Sequence, residues 1–367
     1  MDWTSCTVQV SAGFDSQKPS ARASITNATR LIQLLNNMTE TTYRGRRAAC
    51  IENSQLRVTV LYEGGHIAEL LVKETGVNPL WTPPWPTIEP STYDVGRHPE
   101  YGSDAESKLL AGIHGHNLCL DLWGPPSAAE AAAGMTVHGE ASVALYTISG
   151  GAGQVLVCQC LLPAAQLAFE RKLELDGSKL LFSETVRNLG ALDRPIAWTQ
   201  HVTLGPPFLV GGETQFRVPA TRSMTYEGEV FDWPMLRGED LRVFTNAAVS
   251  GKFSTHLLDP ADDQAYFVAW SPQSKTVIGY RWQREDFPWI GIWEENRSRA
   301  EAPWNGETIT RGMEFGVSPM PESRRKMVDR GSLFGVEGYR WIPARSAVSV
   351  HYEAFARRAE VMLERPD

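Results

Sequence analysis

The sequence predicts an all-β protein, one large antiparallel sandwich preceded by a short N-terminal helical segment. Three observations predict it. Apolar and polar residues alternate with a period of two through most of the chain. Turn signals such as Asp176-Gly177 and Leu189-Gly190 divide these runs at roughly the 8–12-residue rhythm of a sandwich. Finally, only two stretches read as helix.

The first helical stretch runs from Thr26 to Thr39, with apolar residues at helical spacing after a Thr/Asn cap. Leu56 to Tyr62 then alternates as a strand, turns at Glu63-Gly64-Gly65 and resumes from His66 to Val72. The segment from Asn78 to Pro86 is rich in proline and carries Trp81 and Trp85, which suggests a loop folded onto the body rather than a linker. The second helical stretch, Ser127 to Ala133, is alanine-rich and opened by Pro125-Pro126-Ser127. Further strands are expected at Ala141 to Ile148, Gln154 to Leu161, Leu167 to Leu175, Lys179 to Arg187, Ala265 to Trp270, Thr276 to Trp282 and Val348 to Phe355. No second domain separates cleanly, so residues 1–50 read as a leader and 51–367 as one β domain.

Composition excludes several functions. With 367 residues, a formal net charge of −8 and a pI near 5.6, the chain lacks the basic footprint of a nucleic-acid binder. No run of apolar residues is long enough to span a membrane. Met1 to Gly13 has no secretory n-region or h-region, and the five cysteines lack metal-ligand spacing, so a cytoplasmic protein with reduced thiols is expected. Cys158 and Cys160, two apart on a strand, should share a face without bridging. No glycine-rich loop joins a strand to a helix, and no cofactor is implied. Twelve tryptophans are more than a core usually asks for.

Residues able to do chemistry cluster in a few places. His114-Gly115-His116 precedes Asp121 and Trp123, His138-Gly139 is expected to open a strand, and His201 lies in the run that begins at Pro195. Glu314 is the single acid inside Thr310 to Pro319, a strand of mainly small and apolar residues. Burying it without a partner would cost several kcal/mol, so it should be paired or line a polar cleft. Glu294 and Glu295 form an acidic pair at a strand end, at least one of them expected in an exposed loop.

In order and spacing, these motifs resemble the aldose 1-epimerase family, also called galactose mutarotases, with its hexose-6-phosphate epimerase relatives. The resemblance runs from about Leu56 to Phe355. It is carried by Glu63 to Glu69, by His138-Gly139-Glu140-Ala141, by Glu184 to Gly190 ahead of Trp198 to His201, and by Arg311 to Glu314. It implies a large antiparallel β-supersandwich with an open sugar-binding groove and a small-molecule sugar as partner. By the same resemblance Glu314 is the catalytic base, His201 the catalytic acid and His138 a sugar ligand, helped by His114 or His116. Arg311 would hold Glu314 or read the sugar. Two departures stand out: relatives follow His-Gly with Phe-Ala-Arg where this chain has Glu140-Ala141-Ser142, and Val202-Thr203-Leu204-Gly205 follows His201.

The tryptophans suit a sugar, because an indole can cover the apolar face of a pyranose. Trp198 and His201 differ in parity and should face opposite ways, so Trp293 is the better candidate for stacking. Two other readings compete with an epimerase. One is a non-catalytic carbohydrate-binding protein, favoured by the missing arginine after His138. The other takes His114, His116, Asp121 and His138 as metal ligands.

Overall fold

The computed structural model describes residues 38–151 and 153–366. Two antiparallel sheets dominate, one of twelve strands and one of eight. The larger begins with Thr39–Tyr43 and runs through Arg46–Glu52, Leu56–Leu61, Ile67–Val72 and His116–Asp121 to Arg194–Leu204. It continues through Ile309–Gly316, Trp289–Asn296, Ser250–Leu258 and Ala220–Thr225 to Val230–Asp232, and the twelfth strand, Arg340–Ile342, pairs with Arg194–Leu204 off this path. The smaller holds Leu167–Asp176, Lys179–Asn188, Ala347–Arg358, Thr276–Gln283 and Gln264–Ser271 at its centre.

The core fills the space between the two sheets. Phe315 of the larger sheet stacks on Trp282 of the smaller at 4.0 Å, with Tyr280 and Phe287 close by. Offset aromatic contacts of this kind add to area burial. Leu167–Asp176 shows the expected signature, with the residues facing the larger sheet buried and most of their neighbours partly or fully exposed. Cys158 and Cys160 share the buried face of Val155–Leu162, and burial pushes both thiols up to about 12.

Two expectations need correction, and a third falls almost wholly outside the described residues. The sheet starts before residue 50, because Thr39–Tyr43 and Arg46–Glu52 are its first two strands. The expected helix at Thr26 to Thr39 lies outside the described residues except at its end, where Thr39 already opens a strand. His138 does not open a strand either. It sits at φ 70° and is followed by the 3-10 turn Glu140–Ser142, so of the expected Ala141 to Ile148 strand only Thr147 and Ile148 are extended sheet, in the strand Thr147–Gly150. The second helix is present as Ala128–Ala132, capped reciprocally by Ser127 and Glu130.

Candidate active site

Register along the larger sheet sets out the site. The His201 strand, Arg194–Leu204, pairs on one side with His116–Asp121 and on the other with the Glu314 strand, Ile309–Gly316. His201 lies directly opposite Glu314 on one neighbour and Asn117 on the other. Directly paired residues project to the same face of a sheet, so Asn117, His201 and Glu314 rise together from the face turned away from the smaller sheet. Trp293 joins them, paired with Gly312 on the next strand. A side chain at 312 would begin 2.5 Å from the Glu314 carboxylate, so glycine there leaves the acid its place.

His201, Glu314 and Trp293 floor a cleft of about 450 Å³. Glu314 Oε1 lies 3.2 Å from His201 Nε2, and Trp123 Nε1–H donates to Glu314 Oε2 at 3.0 Å. His201 Nδ1 is 2.9 Å from Thr203 Oγ1. The His138 ring stands 4.6 Å from that of His201, its Nδ1 3.0 Å from Asn117 Oδ1. With the amide oxygen accepting, His138 carries its proton on Nδ1 and presents a free Nε2 lone pair. Gly139 makes this possible: at φ 77° it passes so close to the Leu120 carbonyl that a Cβ would fall 2.1 Å from it. The carboxylate of Glu140 accepts from the backbone N–H groups of Ala164 and Ala165 and so ties down the neighbouring loop.

Tryptophans wall the cleft. Trp293 is 5.9 Å from the His201 ring and 6.0 Å from Trp304. Behind Trp304 stand Trp81 and Trp85 of the proline-rich loop, which is folded onto the body as expected. At the mouth, the Arg299 guanidinium lies 4.6 Å from the Trp304 ring and pairs with Glu106 and Glu295, while Lys252 pairs with Glu239 and Glu294. Glu294 and Glu295 are both buried, correcting the expectation of an exposed loop. Ser250 and Lys252 partner the first, and Ser298 and Arg299 the second.

Burial dominates the protonation of the pair. It pushes Glu314 up to about 8, against the Trp123 hydrogen bond that pulls it down. It pushes His201 down to about 3, and it holds His138 well below the usual histidine range with help from the His201 charge. Near neutral pH, Glu314 and His201 therefore hold one proton between them. Burial favours placing it on the carboxyl, donated to a neutral imidazole. The ion pair is the same state after one proton transfer along the 3.2 Å contact.

Of the residues singled out from sequence, His138, His201, Trp293 and Glu314 converge. His114, His116 and Arg311 do not line the cleft. His116 precedes Asn117 and so faces between the sheets, held by Gln200 Oε1 at 3.0 Å and Tyr280 OH at 3.2 Å. His114 lies ahead of that strand, buried against Tyr43. Arg311, three residues from Glu314, has the opposite parity. Its guanidinium lies against Phe216 and donates to the Leu241 carbonyl. The metal reading fails on the same geometry, since Asp121 is clamped by Arg194 and Arg324 and the histidines point apart. Trp198 is buried with its Nε1–H on Glu184, leaving Trp293 at the cleft as parity predicted. Sequence reasoning missed Trp123 and Asn117. Parity on the His116 strand could have found Asn117, but no local signal marks Trp123 as a partner of Glu314.

No protein-family model matches the chain, and no curated protein matches it in sequence. Solved structures do. A candidate aldose 1-epimerase from Klebsiella pneumoniae superposes with a TM-score of 0.61 at 13% identity, covering 86% of this chain and 80% of that one. A galactose mutarotase-like protein from Clostridium acetobutylicum gives 0.60 at 14% identity, over 88% of this chain and 99% of the other. One from Lactobacillus casei gives 0.58 at 14%, over 84% of this chain and all of its own.

The fold is galactose mutarotase-like.

On this fold the cleft lies on the face of the larger sheet turned away from its partner, and the chemistry it can do follows from the side chains above. No helix among the described residues is long and apolar enough to cross a membrane.

Proposed function

We propose that this protein interconverts the anomers of an unphosphorylated reducing sugar by acid–base ring opening. The observation that carries the proposal is the His201–Glu314 contact of 3.2 Å on the floor of a tryptophan-walled cleft. One group removes the proton of the anomeric hydroxyl while the other protonates the ring oxygen. The bond from C1 to the ring oxygen breaks as the C1 carbonyl forms, rotation about C1–C2 exposes the other face, and closure reverses both transfers. Following the family resemblance, Glu314 is the base and His201, protonated, the acid. The proton-transferred form of the pair has this arrangement and the same proton count.

His138 Nε2 accepts from a ring hydroxyl, and Trp293 covers an apolar face of the ring. The two cations at the mouth, Lys252 and Arg299, are each engaged by two carboxylates, which disfavours a phosphate there. Arg97 and Arg187 lie away from the cleft as well.

Polarimetry or exchange NMR on glucose and galactose tests the reading. Glu314→Gln should lower the catalysed rate by about 10²–10⁴-fold, the usual contribution of a general acid or base. An unchanged rate in a folded variant would overturn the mechanism. Sugar binding by calorimetry without acceleration over buffer would make the protein a carbohydrate binder instead.

A further inference from the structure

The cleft does not end at the acid–base pair. An aromatic ladder leads outward from it. Trp123, which holds Glu314, meets Phe253 edge-on at 5.6 Å, and Phe253 meets Tyr226 edge-on at 6.4 Å. Tyr226 sits at the tip of the turn joining Ala220–Thr225 to Val230–Asp232 and is 58% exposed. A single exposed aromatic needs no explanation. Tyr226, however, lines both the catalytic cleft and an adjoining hollow of about 580 Å³. Pro321 lines the cleft while its neighbours Met320 and Glu322 line the hollow, so the two spaces adjoin along Tyr226 and this segment.

The far walls of the hollow are polar. Glu322 and Arg330 form an ion pair at 2.8 Å, and Lys326 and Asp329 stand beside them. An exposed aromatic opposite fixed charged groups is the arrangement a pyranose ring needs. Its C–H face lies on the ring while its hydroxyls meet the charges. The 450 Å³ of the catalytic cleft is itself within the roughly 300–1,000 Å³ of sites that take drug-sized ligands, more than one pyranose requires.

We propose that Tyr226, backed by Phe253, forms a second sugar subsite, and that the preferred substrate is a reducing disaccharide or longer oligosaccharide. Its reducing ring lies over the His201–Glu314 pair on the cleft floor, and the next ring lies on Tyr226, facing Lys326 and Arg330. This rests on the acid–base reading only for the placement of the reducing ring.

Two measurements keep the two ideas apart. The first compares kcat/KM for maltose, cellobiose and lactose with that for glucose and galactose. Wild type should prefer at least one disaccharide. Tyr226→Ala should lower the disaccharide-to-monosaccharide ratio between about two- and tenfold, the worth of one stacked ring, and Tyr226→Phe should restore it. A ratio that Tyr226→Ala leaves unmoved would overturn the subsite. The second measurement needs no turnover: calorimetry of the same disaccharides with Glu314→Gln, with and without Tyr226→Ala. If disaccharide binding weakens with the tyrosine lost although no sugar is turned over by wild type, the subsite stands and the catalytic reading falls. Equal binding by both proteins would overturn the subsite whatever the activity.

Discussion

Two buried glutamates flank the same strand, and their surroundings differ in one respect. Glu184 and Glu314 are 0% and 2% exposed, the first behind the His201 strand and the second beside it in the cleft. Glu184 receives four donors: Arg171 Nε at 2.7 Å, Gln200 Nε2 at 2.7 Å, Trp198 Nε1 at 3.1 Å and Tyr352 OH at 2.6 Å. Glu314 has one fixed donor, Trp123, and a neutral imidazole. A buried carboxylate with a cation and a full set of hydrogen bonds is a structural charge. One left short of donors holds its proton until late and can pass it on. Burial alone does not separate structure from chemistry; the donor count does.

Acid strikes both sides of the strand and should have the largest effect. His66, His114, His116, His138, His201 and His256 are all buried and all held below the usual histidine range, in each case mainly by burial. A lowered native pKa means that the unfolded chain binds protons first, so the stability these groups contribute is complete above pH 6.5 and is lost as pH falls. His114, His201 and His256, each pushed down to about 3, cost about 2 kcal/mol apiece at pH 5, and the three together already reach into the roughly 5–15 kcal/mol that holds a domain folded. Glu314, raised, works in the opposite direction and offsets part of the loss. Circular dichroism should therefore show cooperative unfolding between pH 6 and 5. A fold intact at pH 4 would mean that these histidines ionise in place.

Substitution should next separate the two glutamates by sign. Arg171→Met strips Glu184 of its cation and should cost about 3–5 kcal/mol, read as a lowered denaturation midpoint at pH 7. Glu314→Gln should do the reverse. A carboxyl raised to about 8 penalises the native state increasingly as pH climbs from its ordinary range through 8, and glutamine removes that penalty. The melting temperature of the variant should thus exceed that of wild type by more at pH 9 than at pH 5. Equal shifts at both pH values would place Glu314 among the saturated charges, and the contrast would collapse.

The sequence reveals strands best where one face meets solvent. Lys179–Asn188 and Leu167–Asp176 match the expected runs within a residue or so, because alternating burial is their pattern. It reveals least at the proposed site. Every residue from Ile196 to Leu204 is buried, with Thr199, His201 and Thr203 in front and Trp198, Gln200 and Val202 behind. Polarity there cannot say which face is the cleft. Parity could still separate Trp198 from His201, and the resemblance stated from sequence supplied only the roles expected of His138, His201 and Glu314, residues already singled out. His138 owes its position to a left-handed backbone before Gly139, where local alternation suggested a strand. The partners that tune the pair come from distant segments: Trp123 is 191 residues from Glu314, and no local pattern encodes such a contact.

That contact offers the smallest and sharpest test. Trp123 is the one donor that lowers Glu314 against the effect of burial. Trp123→Phe keeps an aromatic wall but removes the N–H, moving Glu314 further from the state of Glu184. Its pKa should rise by up to about one unit, the equivalent of about 1.4 kcal/mol. The pair then keeps its shared proton to higher pH, and the alkaline limb of the kcat profile should shift upward by the same amount. Lost packing alone would lower the rate at every pH and leave that limb where it was. A limb that does not move would therefore assign Trp123 to the wall and leave burial as the whole cause of the raised carboxyl.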